Sequence, residues 1–295
     1  MATTISIGNN MPTAVVAEMF NAVRGRSALA KLSDRKPMTF SGVTEFTFSM
    51  DSECDIIGEN DPKENGGATV APVVIRPYKF EYGTRVSDEF LRCSEEKRME
   101  LMRDFAEGAA RKFAKGMDIA AFHGLKPRSM AASSVVGTNH FDSKIPSANV
   151  ITYSAGSEYD NLAAAMAAVG DYDVTGIALD PTFSAALGKP NANGVSDVPE
   201  YKLNGNPDTV NGMRSDVNKT VGLHATGADK VYGYVGDFEA FRWGYADEVS
   251  MEVIPYGDPD NSGSDLKGHN QVYLRCEAYI GWGILDGNAF AKIEA

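Results

Sequence analysis

The sequence predicts an α+β fold built around one long helix and several antiparallel strands. Three observations carry this. Apolar residues keep helical spacing over an unusual length: Leu101, Phe105, Ala109, Phe113, Met117 and Ala121 stand four apart, with Met102, Ala106, Ala110 and Ala114 as the adjacent row. Elsewhere the period drops to two, as in Val272, Leu274, Cys276, Ala278 and Ile280 against Tyr273, Arg275, Glu277 and Tyr279. Finally, 295 residues suffice for one large or two moderate domains with a real core.

Taken in order, residues 1–10 are polar. An amphipathic helix is expected over Thr13–Val23, with Val15, Val16, Met19, Phe20 and Val23 on one face. Ala28, Leu29 and Leu32 follow, then a linker ending at Pro37. Phe46, Phe48 and Met50 alternate with Glu45, Thr47 and Ser49, which predicts a half-buried strand. Tyr78, Phe80 and Tyr82 alternate with Lys79 and Glu81 as a second strand. The polar stretch Asp51 to Gly67 between them makes a protruding hairpin with a long tip. Pro72 and Pro77 confine its return strand to an edge or an irregular path.

Ser94 with Glu95 and Glu96 suits the start of the long helix, and Gly124 suits its end. A helix from about Glu95 to Phe122 would be roughly 40 Å long at 1.5 Å per residue, natural for a structural spine. Residues 125–156 read as loop. Tyr159–Val169 reads as an Ala-rich helix, Val174–Leu179 as a buried strand, and Pro181–Leu187 as a helix with proline in its first turn. Asn191–Asn218 is loop-like with weak strand signals, and Val231–Val235 is another buried strand. Val249, Met251 and Val253 alternate with Ser250 and Glu252. With the strand from Val272 they form a long antiparallel hairpin around the polar loop Gly257–Asn270.

Composition and motifs argue against catalysis. The net charge of −12, from 40 acidic and 28 basic residues, disfavours tight sequence-independent binding to nucleic acid. Cys54, Cys93 and Cys276 are odd in number and far apart, so neither a disulfide framework nor a zinc site is expected, and a reducing cytoplasm suits them. Met1–Asn10 has neither a basic cluster nor an apolar core, so no secretory signal is expected, and no apolar run approaches the roughly 20 residues that span a bilayer. No nucleophile elbow, phosphate-cradling loop or zinc helix is present. The histidines His123, His140, His224 and His269 lack metal-ligand spacing, and a helix-dipole contact explains His123 at its helix end. Asp258 to Asp265 has the alternate oxygens and sixth-position glycine of a calcium loop, but position twelve is His269, so a solvated hairpin loop is the better reading. Glu59, Asp61 and Glu64 near Lys63 sit at an exposed tip, without the desolvation that makes an acid/base cluster. No catalytic residue, metal or cofactor is expected.

The order of these elements and several phrases resemble the major capsid proteins of tailed bacteriophages, which share the Hong Kong 97 capsid fold. Ser27–Ser33 is similar to the end of that family's N-terminal arm. Ile57-Gly58-Glu59-Asn60 with Lys63 resembles the tip of its extended loop. Arg85–Phe90 resembles the entry to its spine helix, and Lys112–Gly124, with Asp118, the exit. Gly236-Asp237-Phe238 with Trp243-Gly244, Arg275-Cys276-Glu277 and Ala289–Lys292 resemble later turns and strands.

The resemblance implies an N-terminal arm over 1–36, an extended loop over 37–83, a peripheral domain over 84–156 and 241–280, and an axial domain over 157–240 and 281–295. It implies a structural shell protein, not an enzyme, that assembles as hexamers and pentamers in the host bacterial cytoplasm and resides in the virion. It further implies separate scaffold, portal and decoration partners, and an icosahedral head that encloses double-stranded DNA without specific binding. An encapsulin-like compartment shell is the alternative. Some relatives crosslink a Lys to a neighbour's Asn with a Glu assisting; Lys63 is the only Lys near the tip, no Asn and Glu match, and no crosslink is expected. In the family the extended loop overlaps the adjacent peripheral domain. The acidic tip (Asp51, Glu53, Asp55, Glu59, Asp61, Glu64, with Lys63) is therefore expected to meet the basic flank of a neighbour's spine helix (Lys97, Arg98, Arg103, Arg111, Lys112, Lys115). Glu59, Asp61, Lys63, Arg103 and Arg111 are the contact candidates.

Overall fold

The computed structural model describes residues 26–50, 52–59, 61–63, 65–190, 194–223, 230–246 and 250–295. The helix expected over Thr13–Val23 lies outside the described residues.

The long helix forms as its sequence predicts. It spans Glu95–His123 (α2), after a short arm helix, Ala28–Leu32 (α1). Ser94 caps its start by accepting a bond from the Lys97 N–H, and Gly124 ends it in the left-handed conformation at φ 67°. Its apolar rows are buried from Ala106 onward. The first turns are not: Leu101 is 48 % exposed, and Phe105, a member of the same apolar row, is only half-buried. Phe113 is buried and meets Phe80 edge-on at 6.5 Å.

The helix lies under a four-stranded antiparallel sheet of Pro77–Ser87 (β3), Phe241–Tyr245 (β9), Ser250–Ile254 (β10) and Gln271–Ile284 (β11). β11 is the backbone of this layer, pairing with each of the other three. Its alternation follows the sequence. Val272, Leu274, Cys276, Ala278, Ile280 and Trp282 enter the core shared with α2, while Arg275 and Glu277 pair with Glu252 (2.7 Å) and Lys79 (2.8 Å) on the other face.

A second, six-stranded mixed sheet runs β4-β12-β8-β5-β7-β6, made of Val150–Thr152 (β4), Gly176–Leu179 (β5), Thr209–Val210 (β6), Met213–Val217 (β7), Val231–Gly236 (β8) and Phe290–Glu294 (β12). Its two faces bury different sets. Ile177, Leu179, Val235 and Ile293 pack with residues of helices Glu158–Ala168 (α4) and Pro181–Leu187 (α5). Ala178, Tyr234 and Phe290 turn the other way and join the α2 core through Phe122 and Phe141, with Phe141 on the short helix Phe141–Lys144 (α3). The period of two along each strand thus connects both cores through one sheet.

The hairpin differs from the sequence expectation in two ways. Its return strand is Ala68–Ile75 (β2), paired with Val43–Met50 (β1), whereas Tyr78–Tyr82 belongs to β3 in the four-stranded sheet. β2 shows no polar alternation because most of it is open to water on both sides. Pro72 is tolerated because β2 is an edge strand of a two-stranded ribbon, where a missing N–H costs no partner. In addition, Phe46, Phe48 and Met50 are not half-buried: their exposures are 69, 60 and 77 %. Only the base of the ribbon is anchored, where Ile75 is buried against Gly283; a Cβ on Gly283 would come within 2.7 Å of its Cγ1.

Candidate functional site

In the β1–β2 register, Thr44 faces Val74, Phe46 faces Pro72, Phe48 faces Val70 and Met50 faces Ala68. Period two therefore gathers Phe46, Phe48, Met50, Val70, Pro72 and Val74 on one side of the ribbon. All are exposed. A contiguous apolar stripe on a protruding ribbon is rare on a solitary protein and marks an association surface. Beyond it, the tip carries Glu53, Asp55, Glu59, Asp61 and Lys63, all exposed. Asp61 turns back on the loop, its carboxylate accepting from the Gly58 N–H at 3.2 Å.

Arg103 and Arg111 are exposed on α2, as expected of its polar flank. Arg111 pairs with Glu107 one turn earlier on the same helix. The tip candidates and the helix candidates stand on separate elements. Towards its C-terminal half, α2 borders a groove of about 770 Å³ against β3, floored by Phe80 and Tyr82 and rimmed by Lys112, Lys115, Lys126 and Arg128. In a chain of net charge −12 this is a local excess of cations.

The Asp258–Asp265 loop is not simply solvated. Arg85, from β3, enters it and donates to Asp258 at 2.7 Å, to Asp260 at 2.9 Å and to the Ser264 carbonyl at 2.9 Å. Hydrogen bonds from Arg85 hold the Asp260 carboxyl well below its ordinary range. The guanidinium thus fills the cation position that the loop's oxygens suggest, and among the described residues no cluster could hold a metal ion. Replacing Arg85 by Met would leave those carboxylates facing one another. Faster proteolytic cleavage between Tyr256 and Gln271, read on a gel, is the expected result; unchanged cleavage would show that the loop holds its shape without Arg85.

His123 does more than face a helix dipole. Its Nδ1 lies 2.8 Å from Asp142, and its Nε2 donates to the Thr220 carbonyl at 3.0 Å. Tyr234 donates to the other Asp142 oxygen at 2.6 Å. Burial raises Asp142, but its bonds with His123 and Tyr234 outweigh this and hold it below its ordinary value. Asp118, one and a half turns before His123, is fully buried and binds the arm. Sequence reading missed both functions of these residues; the one available signal was a lone charge, Asp118, between Met117 and Phe122. Cys276 is buried and pushed up to about 12, an inert core thiol. Among the described residues no helix is long and apolar enough to cross a membrane.

Solved structures of similar fold include several from phages. One from Mycobacterium phage Ogopogo aligns with a TM-score of 0.76 at 27 % identity, covering 91 % of this chain and 92 % of that one. One from Gordonia phage Cozz aligns at 0.70 and 24 % identity, covering 90 % and 85 %. A structure described as the capsid of a native GTA particle shares the fold at 0.62 and 13 % identity, covering 90 % and 89 %. The search of curated proteins finds no match. The phage capsid family matches residues 8–295, nearly the whole chain, and with the two-sheet body, the long helix and the protruding ribbon this places the protein in that family: the chain belongs to the phage capsid family.

Proposed function

We propose that copies of this chain join as hexamers and pentamers in the host bacterial cytoplasm and close an icosahedral shell around double-stranded DNA, each hairpin lying on the α2 flank of the next copy. The protein is a structural shell subunit, a major capsid protein of tailed-phage type, and it self-associates into capsomers. The observation that carries the finer reading is the exposed stripe of Phe46, Phe48 and Met50, which a single copy cannot bury. Residues 1–36 act as an arm, 37–83 as the extended loop, 84–156 with 241–280 as a peripheral domain, and 157–240 with 281–295 as an axial domain. Two segments that these bounds split pair across them: β4 joins the six-stranded sheet, and Gly281–Ile284 continues β11 beside β9. Scaffold, portal and decoration proteins act in assembly as separate partners. A container of net −12 per copy repels DNA more than it grips it. The encapsulin-like alternative gains nothing from the family match.

The charged tip sets the register of the contact. Glu59 and Asp61, with Lys63 beside them, meet Arg103 and Arg111 of the neighbouring copy. Each exposed pair is worth about 0.2–1 kcal/mol, multiplied over every subunit of a shell and weakened at 1 M salt, where the Debye length is about 3 Å. Reversing Glu59 and Asp61 to Lys should lower the yield of shells seen by electron microscopy and size exclusion, and so should reversing Arg103 and Arg111 to Glu. Combining the two sets should restore part of the yield. Unchanged yield and salt dependence after the loop reversal would refute the docking. A chain that stays monomeric at all concentrations, with and without lysate partners, would refute the assembly reading itself.

A further inference from the structure

Asp118 stands in the C-terminal half of α2 with no exposure to solvent. Its carboxylate accepts four hydrogen bonds. Oδ1 takes the Ser27 hydroxyl at 2.5 Å and the Leu29 N–H at 3.3 Å; Oδ2 takes the Ala28 N–H at 2.8 Å and the Thr220 hydroxyl at 3.0 Å. Three of the four donors belong to the arm segment that forms α1. That segment covers the carboxylate, so lifting the arm would open Asp118 to water. α1 is also tied to the six-stranded sheet, where Lys31 pairs with Asp208 and Asp216.

Among the described residues no Lys, Arg or His pairs with Asp118. The neighbouring charged groups are engaged by other residues or exposed, as is Lys115 one turn earlier on the same helix. On its own helix, His123 is engaged by Asp142 and reaches Asp118 only through Thr220, whose carbonyl it binds and whose hydroxyl Asp118 binds. On the arm, Lys31 is turned to the sheet and Arg26 is exposed. Lys219, beside Thr220, is exposed. On β12, Lys292 pairs with Glu294 and lies 3.9 Å from Asp142. A buried carboxylate without a countercharge favours its neutral form. Burial pushes Asp118 up to about 7, against the lowering effect of its hydrogen bonds from Ser27, Ala28, Thr220 and Leu29.

We propose that Asp118 is a proton-operated latch for the N-terminal arm: seating Ser27–Leu32 against α2 takes up one proton, and lifting the segment returns it to solvent. In the seated neutral state the carboxyl O–H on Oδ2 donates to the Thr220 hydroxyl, which turns to accept it. Oδ1 goes on accepting from Ser27 and Leu29. In the lifted state Asp118 meets water and ionises as an ordinary carboxylic acid. Because the seated value lies above the free value of 3.8, the seated arm binds the proton more tightly. Seating is therefore strongest in acid. It weakens by about tenfold per pH unit between roughly 4 and 7, and becomes flat above that. Acid holds the arm on the body, and neutral pH loosens it for contact with other subunits.

Hydrogen exchange on the unassembled full-length subunit tests this. The amides of Ala28 and Leu29 bond Asp118, and those of Lys31 and Ser33 bond the carbonyls of Ser27 and Leu29. Their protection, corrected for the intrinsic pH dependence of exchange, should fall about tenfold per unit from pH 5 to 7 and level off above. Asp118→Asn carries no titrating proton, and its profile should be flat. Ser27→Ala removes a donor to Oδ1, which accepts in both charge states but binds the carboxylate more strongly, and should move the break to higher pH, which keeps the test open if Asp118→Asn does not fold. His123→Gln should keep the slope. A flat profile in the wild type, or a slope that survives Asp118→Asn or disappears in His123→Gln, overturns the latch.

Discussion

Replacing Phe113 by Ala is expected to destabilise the unassembled subunit by about 3–5 kcal/mol, and replacing Phe105 by Ala by clearly less. Both lie in the same i, i+4 row of α2, so the sequence pattern alone ranks them equally. The structure separates them. Phe113 is 3 % exposed, lies in the core cluster that contains Met117, Cys276 and Trp282, and meets Phe80 edge-on. Its removal leaves a cavity that the surrounding β11 and β3 side chains cannot close, so the transfer and cavity costs add. Phe105 is half-buried and meets Tyr82 at 6.0 Å near the open end of the helix. There water can enter the space left behind, and only part of the side chain's burial is lost. A margin of 5–15 kcal/mol is typical of a folded domain, so the Phe113 change alone removes a large share of it. Chemical denaturation of the two variants reads the difference. Equal losses would mean that the first turns of α2 are packed as tightly as the last, and no loss at Phe113 would mean that this face of the helix is not the core.

The same pair shows how far the sequence can be read. The long helix was legible because its signals are local: a Ser cap, a Gly terminator and an apolar row whose spacing matches 3.6 residues per turn. β11 was legible because one face meets the core and the other meets charge, so the alternation is printed in the residues themselves. β2 was not, because alternation records burial. A ribbon with water on both sides has little to record, and the more regular Tyr78–Tyr82 pattern drew the pairing to itself. The residues joined across long separations were also hidden. Arg85 reaches Asp258 across 173 positions, and Ser27 reaches Asp118 across 91. Nothing local in either member names its partner. The candidate contacts at Glu59, Asp61 and Lys63 could be placed on an exposed tip from polarity alone, and Arg103 and Arg111 on the exposed flank of α2, because charged side chains favour water over the core. The pairing proposed between the two sets lies between copies, and a single chain carries no record of it beyond the resemblance to shell proteins.

Replacing Phe46 and Phe48 together by Ser is expected to abolish assembly at concentrations where the wild type forms shells, while leaving the melting of the isolated subunit nearly unchanged. The two halves of this expectation come from one fact: in the single copy both rings are mostly in water. Their removal costs the monomer little, since surface changes away from buried contacts usually fall within about 0.5 kcal/mol. In a shell, each ring that leaves water contributes roughly 1.5–3 kcal/mol. Losing two weakens every hairpin contact by about a hundredfold or more, at 1.4 kcal/mol per factor of ten. The charge pairs proposed for the tip are each worth at most about 1 kcal/mol and fade with salt. The stripe should therefore dominate affinity, and the charges should set where along the neighbour the ribbon stops. This ordering can be measured by titrating assembly of the two sets of variants in low and high salt. The Ser variant should fail equally in both, and the charge-reversed variant should differ from wild type mainly at low salt. Shells of the Ser variant at wild-type concentrations would show that the apolar side of the ribbon is left bare in the assembled particle, and that the force holding neighbours together lies elsewhere on the body.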